Sequence, residues 1–148
     1  MAELDVRESQ AALADAIKQL RAKNLFTDEN AEAILSPAAD EMLSSAKSAF
    51  IQSGHSNAKP RRTGKTLSAF MRAKKVYKDK NKAPYMFVSL KGTDKRGQRY
   101  GAKAFVLNYG RRTGGKIPAD YYLSNAVKAT RPHVNQMMIN KIEEIFYK

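Results

Sequence analysis

The amino-acid sequence predicts an α+β protein in which N-terminal helices and a long C-terminal helix pack on a small antiparallel β-sheet. Three observations predict it. Apolar residues recur at helical spacing through the first third of the chain and again beyond residue 118. The middle of the chain alternates strand-forming residues with polar ones. The order, helices then strands then helix, lacks the regular alternation of a parallel βαβ sheet. The 148 residues fit one domain, 1–148, with a helical part at 1–54, a sheet with basic loops at 67–110 and the C-terminal helix at 118–147.

Leu13, Ala16, Ile17 and Leu20 mark the first helix, with Asp15, Lys18 and Arg21 between them and Asn24 as its expected end. Thr27 reads as an N-cap, because Asp28 and Glu29 follow in a first turn where the helix dipole favours carboxylates. The stripe Ala31, Ile34, Leu35, Ala38, Met42, Ala46, Ala49 and Phe50 continues to Gly54, the expected stop. Pro37 interrupts it. Either a new helix starts at Ser36-Pro37 with proline in its first turn, or the helix kinks there.

Residues 54–66 read as a loop by composition, in which Thr63 and Gly64 would make the turn into the sheet. One strand is expected from Phe70 to Tyr77 and a second over Tyr85–Leu90, joined by 78–83. A polar link at 91–98 follows. Residues 102–109 fit either period, and Gly110 would stop a short helix. Residues 111–117 form another loop. Leu123, Ala126, Val127, Val134, Met137, Met138, Ile142, Ile145 and Phe146 define the last helix, with Pro132 expected to kink or restart it.

Hydrophobic residues make up 43% of the chain, enough for a core. Cysteine is absent, so disulfides, thiolate metal sites and cysteine nucleophiles are excluded. No apolar run approaches the roughly 18–20 residues of a membrane span, and the acidic start Met1-Ala-Glu-Leu-Asp5 is unlike a secretory leader. No membrane partner and synthesis in the cytoplasm are the expectations.

The net charge is +13 and unevenly placed. Residues 1–58 carry 5 Lys/Arg against 9 Asp/Glu, residues 59–116 carry 18 against 2, and residues 117–148 carry 4 against 3. The basicity is therefore a face or a set of loops in the middle segment, not a tail.

The inventory for catalysis is thin. His55 and His133 have no acid or histidine at ligand spacing and read as solvated or packing residues. Asp79 and Asp94 stand among lysines, where weak surface pairs are expected. Arg62-Thr-Gly-Lys-Thr66 superficially resembles a phosphate loop, but the first glycine of that motif would fall on Lys59. No catalytic residue, cofactor or metal is expected. For Lys74, Lys75, Lys78, Lys80 and Lys82 the favoured role is to solubilise strand edges and blunt edge pairing, although Tyr77, Tyr85, Tyr100 and Tyr109 interleave with the cations as in phosphate-and-stacking surfaces. Arg61, Arg62, Lys95, Arg96, Arg99, Arg111 and Arg112 lie in loops, and there a subunit-interface or DNA-facing role is favoured, since arginine suits bidentate contact with carboxylate or phosphate.

Three segments, in order, carry a family resemblance. They are Ala38–Lys47 followed by Pro60-Arg-Arg-Thr-Gly-Lys-Thr-Leu-Ser-Ala-Phe70; then Ala104-Phe-Val-Leu-Asn-Tyr-Gly110; then Ile117-Pro-Ala-Asp-Tyr-Tyr-Leu-Ser-Asn-Ala126. Over residues 30–147 the chain resembles the gene-ten-like family of phage tail components, which are head–tail joining or tail-completion proteins. On this likeness Thr63, Gly64, Tyr109, Gly110, Pro118 and Leu123 are fold-motif residues. Asn108 stands where the family usually has Glu, and Arg111-Arg112 with a Gly-Gly loop follows the box. The resemblance implies helices layered on a small antiparallel sheet. It implies a homo-oligomeric ring, often a hexamer, in the neck or tail of a virion, assembled in the host cytoplasm. Its neighbours would be a portal-side head-completion protein and a tail-tube or terminator protein, with DNA passing through the lumen. Beside it, the basic middle segment motivates a second reading, a nucleic-acid-binding module without catalytic activity.

Overall fold

The computed structural model describes residues 10–19, 27–53, 64–112 and 116–147. Residues 10–19 form helix α1. Then follow α2 (Asp28–Gln52), α3 (Gly64–Ala69), β1 (Phe70–Arg72), β2 (Tyr77–Lys78), β3 (Pro84–Tyr85), β4 (Val88–Leu90), α4 (Tyr100–Tyr109) and α5 (Tyr122–Phe146). The protein is α+β, as expected, with short antiparallel pairings among long helices.

The chain gathers into two compact units, each made of separated stretches. The first lies within residues 1–42, 73–87 and 129–148. Its core is Ile34 and Ile142, both buried, with Leu13, Ala16, Ile17, Met138, Ile145 and Phe146 around them. These are residues of the helical stripes. The hairpin β2–β3 belongs to this unit and pairs Tyr77 with Tyr85 and Lys78 with Pro84.

The second unit lies within residues 43–72 and 88–128. Phe50 is its centre, edge-on to Phe70 at 5.5 Å and tilted against Tyr122 at 5.8 Å between ring centroids. Leu67, Val88, Leu90, Leu107 and Leu123 pack around this aromatic trio. The strands β1 and β4 pair Phe70 with Leu90 and Arg72 with Val88.

Several local expectations change. Thr27 is the N-cap of α2, its Oγ1 accepting the Asn30 N–H at 3.2 Å. But α2 and α5 each run as one element through Pro37 and Pro132. Neither proline starts a helix, and each removes only a single N–H from the ladder. The two long strands are each split: the chain bends at Lys74-Lys75, and Met86-Phe87 belong to neither β3 nor β4. Between the pairings, the Ala73 N–H donates to the Phe87 carbonyl at 2.8 Å. The last part of the expected loop is α3, a single short helix leading into β1. Residues 100–109 are helical, with Ala104 and Asn108, four apart, forming the buried face. The expected ends at Asn24 and Gly54 lie outside the described residues.

Candidate functional site

The apolar box at 104–110 resolves into a joint in the second unit. Asn108 is buried, and its Oδ1 accepts the N–H groups of Leu123 at 2.9 Å and Ser124 at 3.2 Å. Its Nδ2 donates to Ser124 Oγ at 3.0 Å. Asp120 Oδ1 accepts the Tyr122 N–H at 3.1 Å. Three of the four backbone donors orphaned at the start of α5 are therefore held by two side chains, one local and one from α4. Asn108 is a capping residue supplied from fifteen positions upstream. Asn108 thus presents an oxygen acceptor to a helix N-terminus.

Gly110 ends α4 as expected, with φ near 80° and its N–H donating to the Val106 carbonyl at 2.7 Å. A Cβ there would lie 2.8 Å from both the Ala119 nitrogen and the Ile117 oxygen. Backbone conformation and space both demand glycine. Tyr109, by contrast, is exposed. The period-3.6 face of α4 buries Asn108 and turns Tyr109 outward.

Tyr109 instead belongs to an exposed aromatic cluster. Phe105, Tyr109 and Tyr121 keep 60%, 52% and 49% of their surface exposed. Phe105 and Tyr109, one helical turn apart, have ring centroids 4.6 Å apart, and Tyr121 meets Tyr109 edge-on at 6.2 Å. Tyr121 sits at φ 55°, one of two non-glycine residues in the left-handed region among those described. Arg111-Arg112 follow directly, both exposed. Arg111 is fixed by reciprocal backbone hydrogen bonds with Ile117 at 2.8 and 2.9 Å.

The two aspartates read as weak surface partners are turn builders. Asp79 Oδ1 accepts the N–H groups of Asn81 and Ala83, both at 2.8 Å. Asp94 Oδ1 accepts those of Arg96 at 2.8 Å and Gln98 at 2.9 Å. In each turn the Asp N–H also reaches the carbonyl four residues on, at 3.0 and 2.8 Å. Each turn places its fourth residue at positive φ, Lys82 at 61° and Gly97 at 78°. The segments Asp79-Lys-Asn-Lys-Ala83 and Asp94-Lys-Arg-Gly-Gln98 are thus two instances of one side-chain-capped turn. Both hold cations at an exposed tip. Asp94 additionally pairs with Lys103 of α4. That hydrogen bond first, and the Gln98 and Arg96 amides with it, hold the Asp94 carboxyl down at about 2.

Of the sequence-predicted site residues, Lys95 and Arg96 occupy the tip of the second turn, and Arg99 closes its base through a bridge to Thr93. Pro118 is exposed in the link before α5, and Leu123 packs on the core. Gly64 is the first residue of α3. Arg61, Arg62, Thr63 and His55 lie outside the described residues. His133 is exposed, 3.9 Å from Glu41. Among the described residues no group of three or more His, Asp or Glu side chains is placed to hold a metal, and no helix is long and apolar enough to cross a membrane. Sequence reasoning missed Asn108 as a cap, Phe105 and Tyr121 as surface aromatics and the aspartates as turn residues. The repeated Asp-Lys-x-x-x pattern was the available signal for the last.

The class that fold and surface define is a small α+β protein with cations on two side-chain-capped turns and two clusters of exposed aromatic rings. Comparison with family models, with curated proteins and with solved structures gives no match.

Proposed function

We propose that this chain is a structural subunit of a phage neck or tail-completion ring, with no chemistry of its own. The observation that carries the reading is the aromatic cluster Phe105, Tyr109 and Tyr121 with Arg111-Arg112 next to it. Three large rings half in water are costly for a lone protein and are the residue types, with arginine, that anchor protein interfaces. The ordered resemblance over residues 30–147 supplies the class of assembly, and the acidic N-terminal third supplies a surface of opposite sign for a head-to-tail contact. Partners would be further copies of the chain, a portal-side head-completion protein and a tail-tube or terminator protein.

Light-scattering mass measurement of the purified chain, alone and with portal-side and tail-tube proteins, tests this. Rings, or assembly on either partner, are expected. Phe105→Ser with Tyr109→Ser is expected to abolish them without lowering stability, because both side chains are exposed. A chain that stays monomeric and binds neither partner overturns the proposal.

A further inference from the structure

A second aromatic surface lies on the first unit, on the β2–β3 hairpin. Tyr77 and Tyr85 are directly paired across the strands, so their rings share one face, with centroids 6.0 Å apart. Phe87, two residues beyond Tyr85, falls on the same face, 5.3 Å from Tyr77. Met86, between them, points the other way and meets the Ser36 hydroxyl of α2 at 3.9 Å. Met86 thus touches α2, while Tyr77, Tyr85 and Phe87 keep 36%, 41% and 39% of their surface exposed.

Lysines flank these rings in the sequence. Lys74, Lys75, Lys78, Lys80 and Lys82 are all exposed. Lys75 Nζ stands 5.2 Å from the centre of the Tyr77 ring. Asp79, the hairpin's own carboxylate, is spent on the backbone of the turn, and Asp28 pairs with Lys78 at 3.0 Å. The turn carries both Lys80 and Lys82, the latter at positive φ. Blunting a strand edge needs lysines but not three exposed rings on one face.

We propose that the β2–β3 hairpin binds single-stranded nucleic acid, its bases stacking on Tyr77, Tyr85 and Phe87 and its phosphates meeting Lys74, Lys75, Lys80 and Lys82. Three part-exposed aromatic rings in a lysine-rich hairpin match a polyanion that carries planar rings. A duplex offers the charge without the free base faces, and an acidic peptide offers neither the regular spacing nor the stacking. The site is independent of the ring proposal, since a monomer presents it equally.

The test is fluorescence anisotropy of the full chain with a labelled oligothymidylate, a duplex of equal length and heparin, at low and moderate salt. The single strand is expected to bind most tightly. The logarithm of its affinity should fall against that of salt with a slope of about −0.7 per phosphate neutralised, and a Lys80→Gln, Lys82→Gln double variant should flatten that slope by about 1.4. Tyr85→Leu should weaken the single strand by roughly 5- to 150-fold, the range for loss of one stacked base, and leave heparin unchanged. Tyr85→Phe keeps the ring and should keep the affinity, which separates stacking from damage to the hairpin. Equal binding of all three polyanions with no effect of Tyr85→Leu would show a charged surface only and overturn the proposal. So would absence of binding at low salt.

Discussion

Asn108→Ala isolates the device that joins α4 to α5. The substitution removes an amide whose oxygen takes two N–H groups of α5, at 2.9 and 3.2 Å, and whose nitrogen reaches Ser124 Oγ at 3.0 Å. Loss of a helix cap costs about 0.5–2 kcal/mol, and a buried donor left unpaired about 1–3 kcal/mol. These figures overlap, because the cap is itself the pairing of those donors, so the expected loss is about 2–4 kcal/mol. That is a large fraction of the roughly 5–15 kcal/mol that holds a domain together. Urea unfolding followed by far-ultraviolet circular dichroism is the assay. With a denaturant slope of about 1.5 kcal/mol per molar, the midpoint should drop by roughly 1.3–2.7 M. Ser124→Ala alone loses one neutral hydrogen bond, about 1 kcal/mol. In the Asn108→Ala background it should lose almost nothing, because its partner is already gone. Asn108→Asp keeps an oxygen for both N–H groups and places negative charge at the positive end of the helix, so at neutral pH it should lose less than the alanine variant. An Asn108→Ala cost below about 0.5 kcal/mol, the range of ordinary surface changes, would refute the joint, as would strict additivity with Ser124→Ala.

Gly110→Ala should destabilise by more than about 2 kcal/mol, because it combines a positive φ with a Cβ 2.8 Å from two backbone atoms; thermal melting reads it. Lys82→Gly should raise stability by up to about 1 kcal/mol by removing the strain of a side chain at φ 61°, and a loss of stability would show that Lys82 contributes more than its backbone costs. Because the folded state holds Asp94 at about 2 against an ordinary 3.8, its charge stabilises the protein above pH 4, and that contribution disappears as pH falls toward 2. Asp94→Asn keeps the turn acceptor and loses the ion pair, so urea midpoints measured from pH 5 to pH 2 should fall less steeply than in the parent. Tyr122 is pushed above the ordinary tyrosine value of 10.0, by burial first and by the charge of Asp120 second. Its unfolded form ionises before its folded form, so stability should decline above pH 10, and Tyr122→Phe should flatten that decline.

The helical stripes were legible because burial and period agree: Ile34, Phe50 and Ile142 sit where the spacing put them. The cap at Thr27 and the stop at Gly110 were legible because their signals are local. Asn108 was not, because its partners are fifteen and sixteen residues away and nothing in the sequence marks an asparagine as facing another helix. The split strands were not, because alternation through Phe70–Tyr77 continues across a bend that only pairing partners reveal. The outward side of Tyr109 was not legible for a related reason. A residue next to a helix stop can face either way, and the phase of α4 follows from Ala104 and Asn108, whose burial is a tertiary fact.

The two proposed surfaces share a backbone feature besides their aromatic rings. Among the described residues only Lys82 and Tyr121 adopt positive φ without being glycine. Each belongs to one of the two exposed aromatic patches, Lys82 at the tip of the β2–β3 hairpin and Tyr121 in the cluster with Phe105 and Tyr109. The second aspartate turn shows the unstrained solution, since it places Gly97 at the equivalent position. A left-handed backbone costs a non-glycine residue roughly 1–2 kcal/mol, and such strain concentrates where a side chain is needed for contact and not for folding. Folding alone would favour glycine at both positions. The side chains present are instead a cation and an aromatic ring, the two chemistries that the respective surfaces are proposed to use. If Lys82→Gly stabilises the protein while weakening single-strand binding, and a Tyr121→Gly variant does the same for assembly, strain and recognition are the same choice made twice.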